Sequence, residues 1–145
     1  MPVSPELAAS NRTQTERLRR LVQRVTPAQL ATRLPNGWTV AVALGHLAFW
    51  DRQRYCLLRH WAARDYRTGA YDGDVFNDAM QPLLELIPGP DVAAAALRAA
   101  EAVDALLLEL PDAMIADTLA RPEAPQLDRG AHRKHHLDQV ENALS

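Results

Sequence analysis

Trp38-Thr39-Val40-Ala41-Val42-Ala43-Leu44-Gly45-His46-Leu47-Ala48-Phe49-Trp50-Asp51 opens a helical run that extends to about Ala63. Two apolar rows descend it at helical spacing. One holds Val42, His46, Phe49 or Trp50, Leu57 and His60, and the other Val40, Leu44, Leu47, Leu58 and Trp61. A helix apolar over so much of its circumference belongs at the centre of a bundle. A histidine on such a row needs hydrogen-bond partners for its ring nitrogens.

Upstream, Leu34-Pro35-Asn36-Gly37 is a turn by composition. Before it, Ser4-Pro5-Glu6 combines an N-cap, a first-turn proline and a first-turn acid. A helix is expected from there to about Val25, with Leu7, Leu18, Leu21 and Val22 as its stripe. Pro27 to Leu30 adds a short turn of helix. Downstream, Arg64 to Gly73 is a polar connection carrying Tyr66, Gly69 and Tyr71. Asp74 is expected to cap a helix over Val75 to Leu86, in which Pro82 demands a fresh start or a kink. After the break at Pro88-Gly89-Pro90, Asp91 is expected to cap a helix from Val92 to Leu110. Ala113 to Gln126 reads as a long loop. Asp128 is then a cap for a last helix, Arg129 to Ala143, with Gly130 weakening its first turn. No segment alternates as a strand would. The expected fold is all-α, a four-helix bundle with one connection long enough to cross over, in a single domain spanning 1–145.

Composition limits the function classes. The 145 residues are 48% hydrophobic and 23% charged, with a formal net charge of −2. No basic field points to nucleic acid. No apolar stretch approaches a membrane span, and the N-terminus reads as lacking a signal peptide, so the expected location is cytoplasmic. The single cysteine, Cys56, excludes an internal disulfide and reads as a small core residue.

Three of the five histidines fall together in Ala131-His132-Arg133-Lys134-His135-His136-Leu137-Asp138-Gln139-Val140. On a helix, His132 and His136 stand one turn apart, with Cβ atoms about 6 Å from one another, and can share one metal ion. His132 and His135 form an alternative pair. The other reading is a solvated basic face. His46 is the third ligand such a pair would need, though on its own it reads as a core histidine. His60, about 21 Å further along the same helix, cannot join it and reads as a helix-end residue. Asp128, one turn before His132, could orient that ring, but reads first as a cap. Gln53, Gln139 and Asn77 are candidates for lining a substrate cavity. Each is equally readable as an unremarkable polar residue, and Asn77 as a helix-start residue. Trp38, Trp50 and Trp61 read as packing anchors. The terminal motif has no glutamate after its first histidine, so it is not His-Glu-x-x-His and lacks that motif's general base.

The stretch Gly37 to Asp51 resembles the second-helix signature of the DinB-like superfamily: a Trp, a capping Ser/Thr, apolar residues, a His-Leu pair, then an aromatic and an acid. His132 to Val140 resembles the same superfamily's last-helix motif. The resemblance covers nearly the whole chain. It implies a four-helix bundle with up-down-down-up topology and a divalent metal held by His46, His132 and His136, leaving His135 outside. It also places an asparagine near the pocket, here Asn77. Three imidazoles suit zinc or nickel and leave a coordination position open.

The resemblance further implies thiol-dependent S-transferases and isomerases that use bacillithiol, mycothiol or glutathione. The functional expectation is therefore a metal-dependent enzyme acting with a low-molecular-weight thiol on a small electrophile, in detoxification or stress response. The alternative is a non-catalytic metal-binding or interaction module, in which the metal clamps the second helix to the last. The apolar second helix and the resemblance are both compatible with a homodimer.

Overall fold

The computed structural model describes residues 3–68 and 71–145. Gly69 of the polar connection and the Met1-Pro2 start lie outside the described residues. Among the described residues the protein is all-helical, with no strand. Its helices are α1 (Pro5–Arg24), α2 (Pro27–Leu30), α3 (Val40–Ala62), α4 (Gly73–Leu84), α5 (Gly89–Glu109), α6 (Asp112–Leu119) and α7 (Gly130–Leu144).

The first three helices start as their caps dictate. The hydroxyls of Ser4, Thr26 and Thr39 accept from the backbone N–H groups of Leu7, Gln29 and Val42, and Gln29 completes a capping box with Thr26. Three expectations are corrected. The cap of α4 is Asp72, not Asp74: its carboxylate accepts from the N–H groups of Asp74 and Val75. The helix begins two residues early, and Pro82 falls near its end, where the missing N–H costs one intrahelical bond. Asp91 lies inside the first turn of α5, because Pro90 extends the helix back to Gly89. The expected loop from Ala113 to Gln126 contains α6, whose one buried side is Ile115 and Thr118. Eight residues give too few turns for a periodic stripe to stand out.

The helix N-terminal to the histidines of α7 is anchored from a distance. The cap position of α7 is Arg129 rather than the expected Asp128, although the Asp128 carboxylate still accepts from Ala131 N. Buried Asn11 on α1 does more: its Oδ1 accepts from the N–H groups of Arg129 and Gly130 at 2.9 and 2.8 Å, and its Nδ2 donates to Leu127 O. Two of the first orphan donors of α7 are thus satisfied by another helix. Gly130 permits this approach, since a Cβ there would lie 2.9 Å from the backbone C and O of Ser10.

Paired residues give the relative directions of the long helices. Asn11 meets Arg129 and Arg17 meets Asp138 and Glu141, so α1 and α7 run parallel. Thr15 meets Asp104 and Arg19 meets Glu101, so α1 and α5 run antiparallel. His46 meets His132 while Asp51 meets Arg129 and Arg133, so α3 and α7 are also antiparallel. The core has two buried clusters. One joins Val40, Ala43, Leu44 and Leu47 of α3 to Val92, Ala93 and Ala96 of α5, and the other joins Leu58 to Val103, Leu106 and Leu107. Early residues therefore pair with early and late with late, and α3 and α5 run parallel. Two parallel neighbours need a return path, here about 34 Å for a helix of 23 residues. The connection through α4 supplies it.

That return path lays α4 across the early turns of α3. Gly45 allows the contact: a Cβ on it would fall 2.6 and 2.8 Å from the methyl carbons of Leu84 and 3.0 Å from Val92. The next residue is His46. Cys56 is exposed rather than part of the core, because it faces away from the side of α3 that carries Leu58 and Trp61.

Candidate metal centre

His46 enters from α3, and His132 and His136 from α7. One ring nitrogen from each lies within 4.8 Å of the other two. His46 and His136 are buried, and His132 is half-buried. His46 Nε2 is 3.0 Å from His132 Nε2. Two imidazole nitrogens bound to one ion at about 2.0–2.1 Å each stand roughly 2.9–3.3 Å apart for angles between right and tetrahedral. The observed spacing fits that requirement. His135 is exposed and outside the cluster, and exposed His60 instead bonds Asp65.

The other ring nitrogens are tied down. Trp50 Nε1–H, which can only donate, points at Asn77 Oδ1 at 3.1 Å, and this identifies the amide oxygen. His46 Nδ1, also 3.1 Å from that oxygen, must therefore be its donor, which leaves a lone pair on Nε2. His136 Nδ1–H donates to Gln139 Oε1 at 3.0 Å in the same sense. Such bonds orient a ligating imidazole and set its tautomer. His132 differs. Arg129 Nη2 donates to its Nδ1 at 3.3 Å, so a neutral His132 carries its proton on Nε2, facing His46. Coordination through His132 Nε2 would move that proton to Nδ1 and require the Arg129 edge to turn away. Trp38 closes the other side, its ring centroid 5.0 Å from that of His46 and 6.1 Å from that of His136.

Burial pushes His46 down to about 4, with His136 adding to the effect. Burial followed by the Arg129 charge pushes His132 down to about 2. Burial lowers His136 as well, against the opposing bond to Gln139. The cluster is therefore three neutral imidazoles, the form in which histidine binds metal. Below about pH 6.5 the unfolded chain takes up protons that the metal-free folded chain refuses, so stability is lost as pH falls from about 6.5 towards 4. Urea unfolding at pH 7 and pH 5 is expected to differ by a few kcal/mol, roughly. Equal midpoints would contradict a buried neutral cluster.

Directly beside the histidines lies a buried ionic network that joins all four long helices. Asp51 on α3 is fully buried, accepting from Arg129 Nε at 2.8 Å and from Arg133 Nε at 2.9 Å. Arg133 on α7 reaches Asp104 of α5, Thr15 Oγ1 and the backbone oxygen of Asn11. Thr15 in turn donates to Asp104 Oδ2 at 2.6 Å. Arg129 links this network to His132. A solvated basic face would put Arg129 and Arg133 in water, whereas both are buried, and Asn11 and Asp104 carry no local sign of their part in the network. A signal was present: Arg129, His132, Arg133 and His136 follow the i, i+3, i+4, i+7 spacing at which a packed helix normally shows apolar residues.

A cleft of about 290 Å³ opens beside His46 and His132, lined also by Trp50, Arg54, Asn77 and Arg129. Asn77 lines this cleft and holds the ring of His46. Gln139 meets His136, while Gln53 lies outside the cleft with a buried Oε1 that has no partner among the described residues. A family model described as the DinB superfamily matches residues 11–140. No curated protein and no solved structure matches the chain.

Proposed function

The chain belongs to the DinB superfamily, and from that premise we propose that it is a metal-dependent enzyme joining a low-molecular-weight thiol to a small electrophile. Its metal ligands would be His46, His132 and His136. The observation that carries the proposal is the convergence of three neutral imidazole nitrogens within 4.8 Å at the side of an open cleft. The pair directions of the long helices support the up-down-down-up bundle of that superfamily. Three imidazoles favour zinc or nickel over the harder cations that prefer carboxylates. A metal held there supplies Lewis acidity, stabilising a bound thiol as its thiolate near neutral pH.

The protein's own residues would do the rest. Asn77 and Gln139 hold the rings of His46 and His136 with their Nε2 lone pairs directed inward. Trp38 shields the cluster from water, and Trp50 fixes Asn77. In the reaction the thiol would lose its proton to solvent, and the sulfur–carbon bond would form as the leaving group departs from the electrophile with its electron pair. No motif present supplies a built-in general base, so activation of the thiol is assigned to the metal site.

The test is turnover of a small halogenated or epoxide electrophile with glutathione, bacillithiol and mycothiol, using zinc- and nickel-loaded protein. Activity with at least one thiol is expected, falling by about 100-fold or more in His46→Ala. A fully loaded protein inert with all three thiols would overturn the enzymatic reading. It would favour the second one, a metal clamp, which the placement of ligands on both α3 and α7 supports.

A further inference from the structure

We propose that the cleft beside the three histidines recognises an oxyanion on its small-molecule ligand, a carboxylate or a phosphate, through Arg54 and Arg129. This deepens the proposed function. It rests on that reading for which end of the ligand reacts, while the contact with Arg54 needs no metal.

Charge accounting in the buried network motivates it. Asp51 and Asp104 balance Arg129 and Arg133, and both oxygens of Asp51 are engaged by those two arginines. Arg54 is left over. It follows His46 and Trp50 at intervals of four on α3, so all three share one face and line the cleft together. Its Nη1 donates to the backbone oxygen of Gln126, but its Nε is buried and has no partner among the described residues. No carboxylate forms an ion pair with it there, although Asp74 also lines the cleft. Burial and the nearby Arg129 charge push Arg54 below its ordinary value, with Tyr71 and the Asp51 carboxylate opposing them in part. A half-buried cation beside a second cation is costly without a counter-charge.

A guanidinium fork matches the planar, bidentate geometry of carboxylate and the oxygens of phosphate. Trp50 and Tyr71, with ring centroids 4.9 Å apart, give the same cleft an aromatic wall for the apolar part of a ligand. Were His132 to bind a metal through Nε2, its proton would move to Nδ1 and the Arg129 edge that now donates there would lose its acceptor. An oxyanion in the cleft would replace it.

The experiment is a titration of metal-free and zinc-loaded protein with acetate, succinate and inorganic phosphate at constant ionic strength. It is followed by the indole N–H signals of the three tryptophans and the Arg54 Nε–H signal in nitrogen-15 spectra. Saturable shifts at Trp50 and Arg54 are expected, with affinity about tenfold or more weaker in Arg54→Gln and partly kept in Arg54→Lys. A preference for succinate and acetate assigns a carboxylate, and a preference for phosphate assigns that group. Absence of saturable shifts in the wild type overturns the inference, as do shifts that avoid Trp50 and Arg54 or an unchanged affinity in a folded Arg54→Gln. If Arg54→Gln does not fold, the wild-type shift map decides. Zinc binding without anion binding refutes this inference alone, and anion binding without zinc binding refutes the proposed function alone.

Discussion

Asp51→Ala is expected to destabilise the protein by about 3–5 kcal/mol. Both guanidiniums that Asp51 holds are almost fully inside, Arg129 at 3% exposure and Arg133 at 0%. Removing the carboxylate leaves those charges buried with less compensation, and the loss of one partner of a buried pair costs far more than the pair contributes net. Arg133 would retain Asp104, Thr15 and the Asn11 carbonyl. Arg129 would retain only its contact to His132 among the side chains. The loss is a large share of the roughly 5–15 kcal/mol that holds a domain together. Urea unfolding followed by circular dichroism measures it. A shift below about 1 kcal/mol would show that the network is not what fixes α7 against α3.

The second large effect is expected on metal removal. Zinc at about a thousand times its dissociation constant adds roughly 4 kcal/mol to folding, because the three imidazoles converge only in the folded chain. For a chain of this size that corresponds to about 10 °C in Tm. A scan of zinc-loaded protein with and without chelator should show that difference, and His132→Ala should abolish it. An identical Tm in the wild type with and without chelator would contradict the joining of α3 to α7 by metal. The scan complements the acid experiment: protons and metal compete for the same nitrogens, so acid should weaken metal binding too.

Much of this fold was legible because its signals are local. Ser4, Thr26 and Thr39 cap helices in the order their neighbours announce, and the apolar rows of α3 place Leu44, Leu47 and Leu58 in the core. Errors arose where a boundary depends on geometry that spacing does not encode. Asp72 and Asp74 are both chemically able to cap α4, and spacing alone does not choose between them. α6 is too short to declare a period. Cys56 is two residues from buried Leu58, about 200° around the helix, so the spacing itself points it outward and residue type alone misleads.

The site follows the same division. The His132/His136 spacing is a local property and could be read directly, whereas their meeting with His46 is a tertiary fact that the family resemblance anticipated. Asn77 reaches His46 only because the connection between two parallel helices must cross the early turns of α3. Arg133 illustrates the limit most clearly. Between two histidines and a lysine it reads as solvated charge, yet it is fully buried, because Asp51, Asp104 and Thr15 come from three other helices to meet it. Partners so distant in sequence leave no periodic trace.

The most direct measurement is metal content per chain, by elemental analysis of untagged protein dialysed after saturation with zinc or nickel. About one ion per chain is expected for the wild type and for His135→Ala, with little or none for His46→Ala, His132→Ala or His136→Ala. A wild type that retains no ion, or a His135→Ala protein that loses it while His132→Ala keeps it, would contradict the three-histidine centre.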